Sequence, residues 1–245
     1  MWIPARSSLL FLVLALLAAP ARGATLTVLA PASAQPALKA LAADYTAKTG
    51  AVITVGGGSR ANVLAALKAG PADVVVLPTN DLITINTVAG MTPLGNIAVG
   101  VGVKAGSKVP DVSTPEKFRA AMLKARGVAY ADPATGTSAG QVIAGMLGTP
   151  DFRAVKRVPV QGLAVTALAD GRADIALQLA PELANDKAVS LAGPVPEMYG
   201  AAVAFSVGIA AVTNNAVTAR DFITYITDPA NSKLWQANGV TPLFH

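Results

Sequence analysis

Val52-Ile-Thr-Val-Gly-Gly-Gly-Ser-Arg60-Ala-Asn-Val-Leu-Ala-Ala-Leu-Lys-Ala-Gly70-Pro-Ala-Asp-Val-Val-Val-Leu77 is the stretch whose reading decides the fold. Val52 to Val55 is a β-branched run, and the three glycines that follow turn the chain. Ser59 stands where a helix N-cap belongs, Asn62 to Ala69 is rich in good helix formers, and Gly70 stops the helix. Asp73-Val-Val-Val-Leu77 is apolar without alternation, the pattern of a strand covered on both faces in a parallel sheet. Strand, helix and strand in this order make a right-handed crossover unit.

Upstream, Thr25 to Leu29 reads as a strand and Ser33 to Lys48 as a helix ending at Gly50, so the beginning of the chain is βαβαβ and the class is α/β. Downstream, Ile97 to Lys104 is a longer strand with Gly100 and Gly102 inside it, glycines that soften the chain where it crosses to a second half. A helix follows with Ser113 or Thr114 as cap and Pro115 in the first turn. Val128 to Asp132 is a strand that enters Pro133-Ala-Thr-Gly-Thr-Ser138 and a helix through Met146. Gly162 to Leu168 reads as helix and Ala173 to Leu179 as strand. Ala201 to Val212 is a second long apolar strand and a return crossing, and helices over Ala219 to Ile226 and Ala230 to Ala237 close the chain. No internal repeat or low-complexity linker interrupts it.

The amino end sets the compartment. Arg6 precedes the apolar run Leu9 to Ala19, then Pro20 and the small-residue pattern Ala21-Arg22-Gly23, which together read as a secretory signal peptide cleaved after Gly23. The alternative, an uncleaved membrane anchor, meets the objection that the run is shorter than a bilayer requires. Residues 1–23 are therefore set aside, leaving a mature chain expected in the periplasm. There is no cysteine, so neither a disulfide framework nor an acylated cysteine tether is expected. No later segment reaches spanning length, and no membrane insertion is expected after cleavage.

Loss of Arg6 and Arg22 leaves 17 basic residues against 14 acidic ones, a net charge of +3. That is mild for a nucleic-acid binder, and no nucleic-acid partner is expected. Nine of the basic residues lie between Lys104 and Arg157, without interleaved aromatic residues to stack bases. They are either a surface that steers anions or ordinary solvated helix faces.

Three loops share one design, leaving the carboxyl end of a strand, rich in Gly, Ser or Thr, and opening a helix: Ala30-Pro-Ala-Ser33, Gly56-Gly-Gly-Ser-Arg60 and Pro133-Ala-Thr-Gly-Thr-Ser138. Helix-start N–H groups, hydroxyls and the positive dipole end make an anion site, and in open α/β sheets the ligand crevice lies at these strand ends. Capping alone also explains a Ser before a helix; three such loops on one chain favour the site. Neither GxGxxG nor a Gly-Lys-Ser/Thr pattern is present, which argues against nucleotides. No metal-ligand cluster is apparent, and neither metal nor cofactor is expected.

The runs Leu26-Thr-Val-Leu-Ala-Pro-Ala-Ser33, Gly58-Ser59, Ala69-Gly-Pro-Ala-Asp-Val-Val-Val76, Ala131-Asp-Pro133 and Ala169-Asp-Gly-Arg-Ala-Asp174 occur in the order found in the periplasmic molybdate-binding protein family, which the mature chain resembles over nearly its whole length. Asp111-Val-Ser-Thr-Pro-Glu116 and Ala129-Tyr-Ala-Asp-Pro-Ala134 resemble a divergent branch, some members of which are associated with organic acids and one with isomerisation of aconitate. The resemblance implies a type II periplasmic binding protein fold: two α/β lobes joined by two crossing strands, with an interlobe ligand cleft. Lobe 1 is expected over 24–101 plus 208–245 and lobe 2 over 102–207.

The resemblance also implies ligand contacts at Ser33, at Gly58, Ser59 and Arg60, at Thr137 and Ser138, near Gly162 to Ala164, and at Gln178. Arg60 stands where molybdate binders carry a serine, and Gln178 where they carry a tyrosine. A guanidinium fork fits a carboxylate better than a tetrahedral oxyanion needs. Arg60 is otherwise a solvent-facing first-turn residue, and Gln178 is otherwise a satisfier of buried backbone.

Two functions are carried forward. One is a monomeric solute receptor that closes on a small anion, an organic carboxylate or a molybdate-like oxyanion, and delivers it to an inner-membrane ABC transporter. The other is a cofactor-independent isomerase of an unsaturated polycarboxylate, which needs a base over a carbon acid. His245 is the terminal residue and the single histidine, and Asp132 and Glu182 are the acids nearest the loops, Asp132 reading more simply as a turn residue.

Overall fold

The computed structural model describes residues 23–85 and 88–244. The expected leader, apart from Gly23, lies outside the described residues, as does His245. Among the described residues no helix is long and apolar enough to cross a membrane.

The chain runs through β1 (Thr25–Pro31), α1 (Gln35–Thr49), β2 (Val52–Gly58), α2 (Arg60–Ala69), β3 (Val74–Pro78), α3 (Thr79–Ile85) and β4 (Val88–Lys104). Next come α4 (Pro115–Lys124), β5 (Val128–Ala131), α5 (Ser138–Leu147), β6 (Arg157–Val160), α6 (Thr166–Ala169), β7 (Ile175–Leu179), α7 (Ala180–Ala184) and β8 (Val189–Pro194). β9 (Ala202–Ala210), α8 (Ala216–Ile226), α9 (Ser232–Ala237) and β10 (Val240–Pro242) complete it.

β1 pairs in parallel with β2 and β3, and β3 then pairs antiparallel with β9. Residues Val88 to Ala98 of β4 lie antiparallel to β9, and β10 adds to β4 at Gly95–Ile97. From Val99 onward β4 changes partners, pairing with β7 and β8, while β7, β5 and β6 run in parallel. One strand thus serves two sheets.

β3 shows why the opening stretch decides the fold. All five of its residues are buried. Val74 and Val76 join the core with Leu38, Phe222 and Trp235 on one face, and Val75 and Leu77 join Val63 and Leu82 on the other. Burial on that scale stabilises by about 1.5 to 3 kcal/mol per large side chain. The second sheet repeats the arrangement. Val128 and Tyr130 pack with Phe118, Ile143 and Phe152 on one side, and Ala129 packs with Ala167 and Leu168 on the other. Phe118 meets Phe152 edge-on at 5.6 Å.

Local signals hold at several element ends. Gly50 takes φ 74° and donates to the Thr46 carbonyl to end α1. Ser59 caps α2 through Asn62 N, 3.1 Å, and Thr114, rather than Ser113, caps α4. Asp73 Oδ2 accepts from Thr27 N at 2.8 Å and Oδ1 from Asn215 Nδ2 at 3.1 Å, joining β1 to the segment after β9.

Other expectations are corrected. Gly100 and Gly102 follow the partner change at Ala98 and Val99 and are filled positions. A Cβ on Gly100 would lie 3.0 Å from Ala180 Cα, and one on Gly102 would lie 2.8 Å from Val189 Cγ1. They admit α7 and β8 against the strand; softening the chain is not their use. β4 begins at Val88, not Ile97, because β9 pairs with it from Val88 onward, two register shifts passing over Gly90 and Leu94. The helix expected over Gly162 to Leu168 contracts to α6, since Gly162 has φ 100° and Ala164 N donates to a side chain, Gln178 Oε1, 2.9 Å away.

Candidate functional site

The carboxyl ends of β1, β2, β3, β5, β6 and β7 open on one cleft of about 330 Å³ between the two sheets. Ser33, Ser59 and Arg60 line it from the first sheet's side, and Thr137, Ser138 and Gln178 from the second's. Six of the seven residues singled out in the sequence are thereby brought together. Gly58 lies just behind the lining, its carbonyl accepting from Ala32 N at 2.7 Å and so tying the first loop to the second. Gly57 permits this approach, with φ 119° and an added Cβ only 2.4 Å from Ala30 O.

Each polar group has a distinct standing. Ser33 is 1% exposed and its Oγ has no hydrogen-bond partner, an unusual condition for a buried hydroxyl. Ser59 and Thr137 are caps, Thr137 Oγ1 accepting from Gly140 N at 3.3 Å. Their hydroxyl hydrogens remain free to donate into the cleft. Ser138 opens α5 and is 9% exposed. With Gln178 Oε1 committed to Ala164 N, its NH2 faces the remaining groups. Asp132 is a turn residue as expected, Oδ1 accepting from Ala134 N and Oδ2 from Gln161 Nε2.

Two charged residues line the cleft, Arg60 and Glu182. Arg60 Nε lies 2.8 Å from Oδ2 of buried Asp81, off the N–H axis, so the contact is an ion pair without an aligned hydrogen bond. Asp81 supplies the negative charge that offsets a cation at the α2 start. Sequence reasoning passed over Asp81, although Pro78-Thr-Asn-Asp81 also leads from a strand end into a helix with an acid in its first turn. Glu182, in the first turn of α7, has its carboxyl raised above the ordinary glutamate value by burial, which a hydrogen bond with Gln178 partly offsets. Val203 and Phe205 supply an apolar wall that the sequence did not announce.

The model of the bacterial extracellular solute-binding protein family matches residues 26–241. The chain belongs to that family. An aconitate isomerase from a Pseudomonas species is 25% identical over 232 residues, covering 89% of this chain and 88% of that protein. Among solved structures, the periplasmic molybdate-binding protein of Azotobacter vinelandii superposes with a TM-score of 0.62 at 20% identity, over 88% of this chain and 98% of that one. L-phospholactate-bound PEB3, a Campylobacter jejuni protein, gives 0.63 at 18% identity over 87% and 98%. At such identities the structural likenesses show the fold, which is the type II periplasmic binding protein fold. The resemblance to molybdate binders and the α/β class expected from the sequence are both borne out in this solute-binding protein.

Proposed function

We propose that this solute-binding protein captures a small organic carboxylate in the cleft and presents it to an inner-membrane ABC-type transporter. The observation that carries the reading is the convergence of a guanidinium, two helix starts and the unpartnered Ser33 hydroxyl on one cavity between two sheets. A carboxylate there would accept from Arg60 and from hydroxyls at the α2 and α5 starts. Two lobes near the expected 24–101 with 208–245 and 102–207, but with β9 from Ala202 counted with the first sheet and β4 from Val99 with the second, would close by rotation about the strands that link them. Periplasmic location after cleavage behind Gly23, action as a monomer and independence of cofactors belong to the same proposal. Thermal shifts of the mature chain with succinate, citrate, trans-aconitate, molybdate, tungstate and sulfate test it, because a ligand that binds only the native state raises the melting temperature. Carboxylates should raise it and oxyanions should not; the reverse order overturns the carboxylate assignment.

Glu182 favours a second reading. A carboxyl in the cleft is what a cofactor-independent allylic proton shift requires. It would take a proton from the saturated carbon beside one carboxylate and return it to the far end of the allyl system as the double bond moves. The 25% identical aconitate isomerase gives that reading its substrate class. Incubation with trans-aconitate in D2O, followed by NMR, should show double-bond isomerisation or solvent deuterium at the allylic carbon; a ligand neither isomerised nor deuterated rejects the enzyme.

A further inference from the structure

Glu182 is a liability in an anion site. It lines the cleft from the second sheet's side, and among the described residues no Lys or Arg lies within ion-pair distance of it. The charged groups around it do not relieve this. β7 and β8, packed on α7, carry no titratable side chain, and β4 offers only exposed Lys104 at its far end. Asp186 and Lys187 lie beyond α7 and Asp174 before β7, the last of these held by Arg126. Across the cleft Arg60 is already matched by Asp81. With Glu182 ionised, the trio of Arg60, Asp81 and Glu182 carries a net charge of −1, and a second anion entering a partly dehydrated cleft would be repelled.

The geometry resolves the conflict. We propose that Glu182 meets the ligand in its neutral form, donating a hydrogen bond to one carboxylate while Arg60 takes another, so that the cleft selects a di- or tricarboxylate and each capture takes up one proton. Arg60 follows β2 of the first sheet and Glu182 follows β7 of the second, so one ligand reaches both only with acceptors at two ends. Gln178, fixed by its Oε1 to Ala164 N, lines the cleft on the same side as Glu182. Burial of Glu182 makes the neutral form accessible nearer neutral pH than for a solvated glutamate, and a bound carboxylate pushes it further the same way. The inference rests on the reading of the cleft as a carboxylate site and assigns a distinct role to one residue within it.

Calorimetric titration of the mature protein and of Glu182→Gln with trans-aconitate, from about pH 5 to about pH 8 in buffers of different ionisation enthalpy, tests this. The ligand's own titration is common to both proteins and cancels in the comparison. Above the free-protein titration of Glu182, wild type should take up close to one more proton than the variant and its affinity should fall roughly tenfold per pH unit, while the variant's does not. Succinate should bind wild type more tightly than acetate. Equal proton uptake in both proteins throughout the range, or wild-type affinity that rises with pH, overturns the role of Glu182 and leaves the carboxylate site standing. Failure of wild type to bind any of these acids at any pH overturns both. If Glu182→Gln does not fold, proton uptake by wild type with succinate decides, a value near zero across the range rejecting the proposal.

Discussion

Replacing Arg60 with Ser separates two jobs that one side chain performs. The Arg60 side chain is 29% exposed and that of Asp81 6%, at 2.8 Å, so the pair stands between an exposed ion pair, contributing about 0 to 1 kcal/mol, and a fully buried one, whose breaking costs about 3 to 5 kcal/mol. Arg60→Ser should therefore destabilise by about 2 kcal/mol, a drop in melting temperature of roughly 4 to 8 °C for a chain of this size. Most of that cost is the orphaned Asp81 carboxylate. Adding Asp81→Asn should recover most of it, because an amide is cheaper to leave in a dry position than a charge. Carboxylate affinity should behave differently. The loss of a charged hydrogen bond costs about 1.5 to 3 kcal/mol, or roughly 10- to 150-fold in Kd, and Asp81→Asn should not restore it. Thermal unfolding and calorimetry on wild type, single and double variants decide the matter. Undiminished carboxylate affinity in Arg60→Ser would show that Arg60 serves only to neutralise Asp81, and the chemical case for a carboxylate ligand would go with it.

Ser33→Ala should leave the melting temperature within about 2 °C, since its Oγ has no partner to lose, yet weaken ligand binding by roughly 2- to 13-fold, the worth of one neutral hydrogen bond. Glu182→Gln should melt above wild type at about pH 8. The folded-state value of Glu182 is raised above the ordinary 4.5, so the cost to wild type grows as pH rises from 4.5 through that raised value and is complete above it, and the two melting curves should converge as pH falls below 4.5, where the carboxyl is protonated folded and unfolded alike. Gly57→Ala should cost roughly 2 to 4 kcal/mol in chemical denaturation, as a Cβ meets Ala30 O at 2.4 Å in a left-handed backbone. Asp73→Ala strands Thr27 N and should cost about 2 to 3 kcal/mol while leaving the order of ligand preference unchanged in a thermal-shift panel.

The α/β framework was legible where one physical cause dominates. β3 is apolar at every position because both faces are covered, and Gly50, Ser59 and Thr114 mark helix ends through their own local chemistry. The convergence of Ser33, Arg60 and Thr137 followed from the rule that strand carboxyl ends share a crevice, whereas Gln178 entered through the resemblance to molybdate binders alone. What escaped depends on partners distant in the chain. β6 and β10 are too short to announce themselves, β8 closes on Gly193-Pro194, and all three exist because neighbouring strands pair with them. Gly100 and Gly102 looked like flexible points because sequence cannot display the side chains of Leu191, Leu183 and Val189 that fill the space above them. Asp81 was invisible as the counter-ion of Arg60 because nothing in a linear reading says that α3 turns back toward the start of α2.

The order of strands in the first sheet also governs when that sheet can exist. β3 and β4 are not neighbours; β9 lies between them, and β10 adds to β4 at the very end of the chain. A chain emerging from its amino end therefore makes β1, β2 and β3 early and then waits, because their edge and the β4 edge have no common partner until residue 202 onward has been made. The middle segment has all the strands of its own sheet from Val99 to Pro194 and can settle first. The half of the molecule that is encoded first is thus the last whose sheet can be completed.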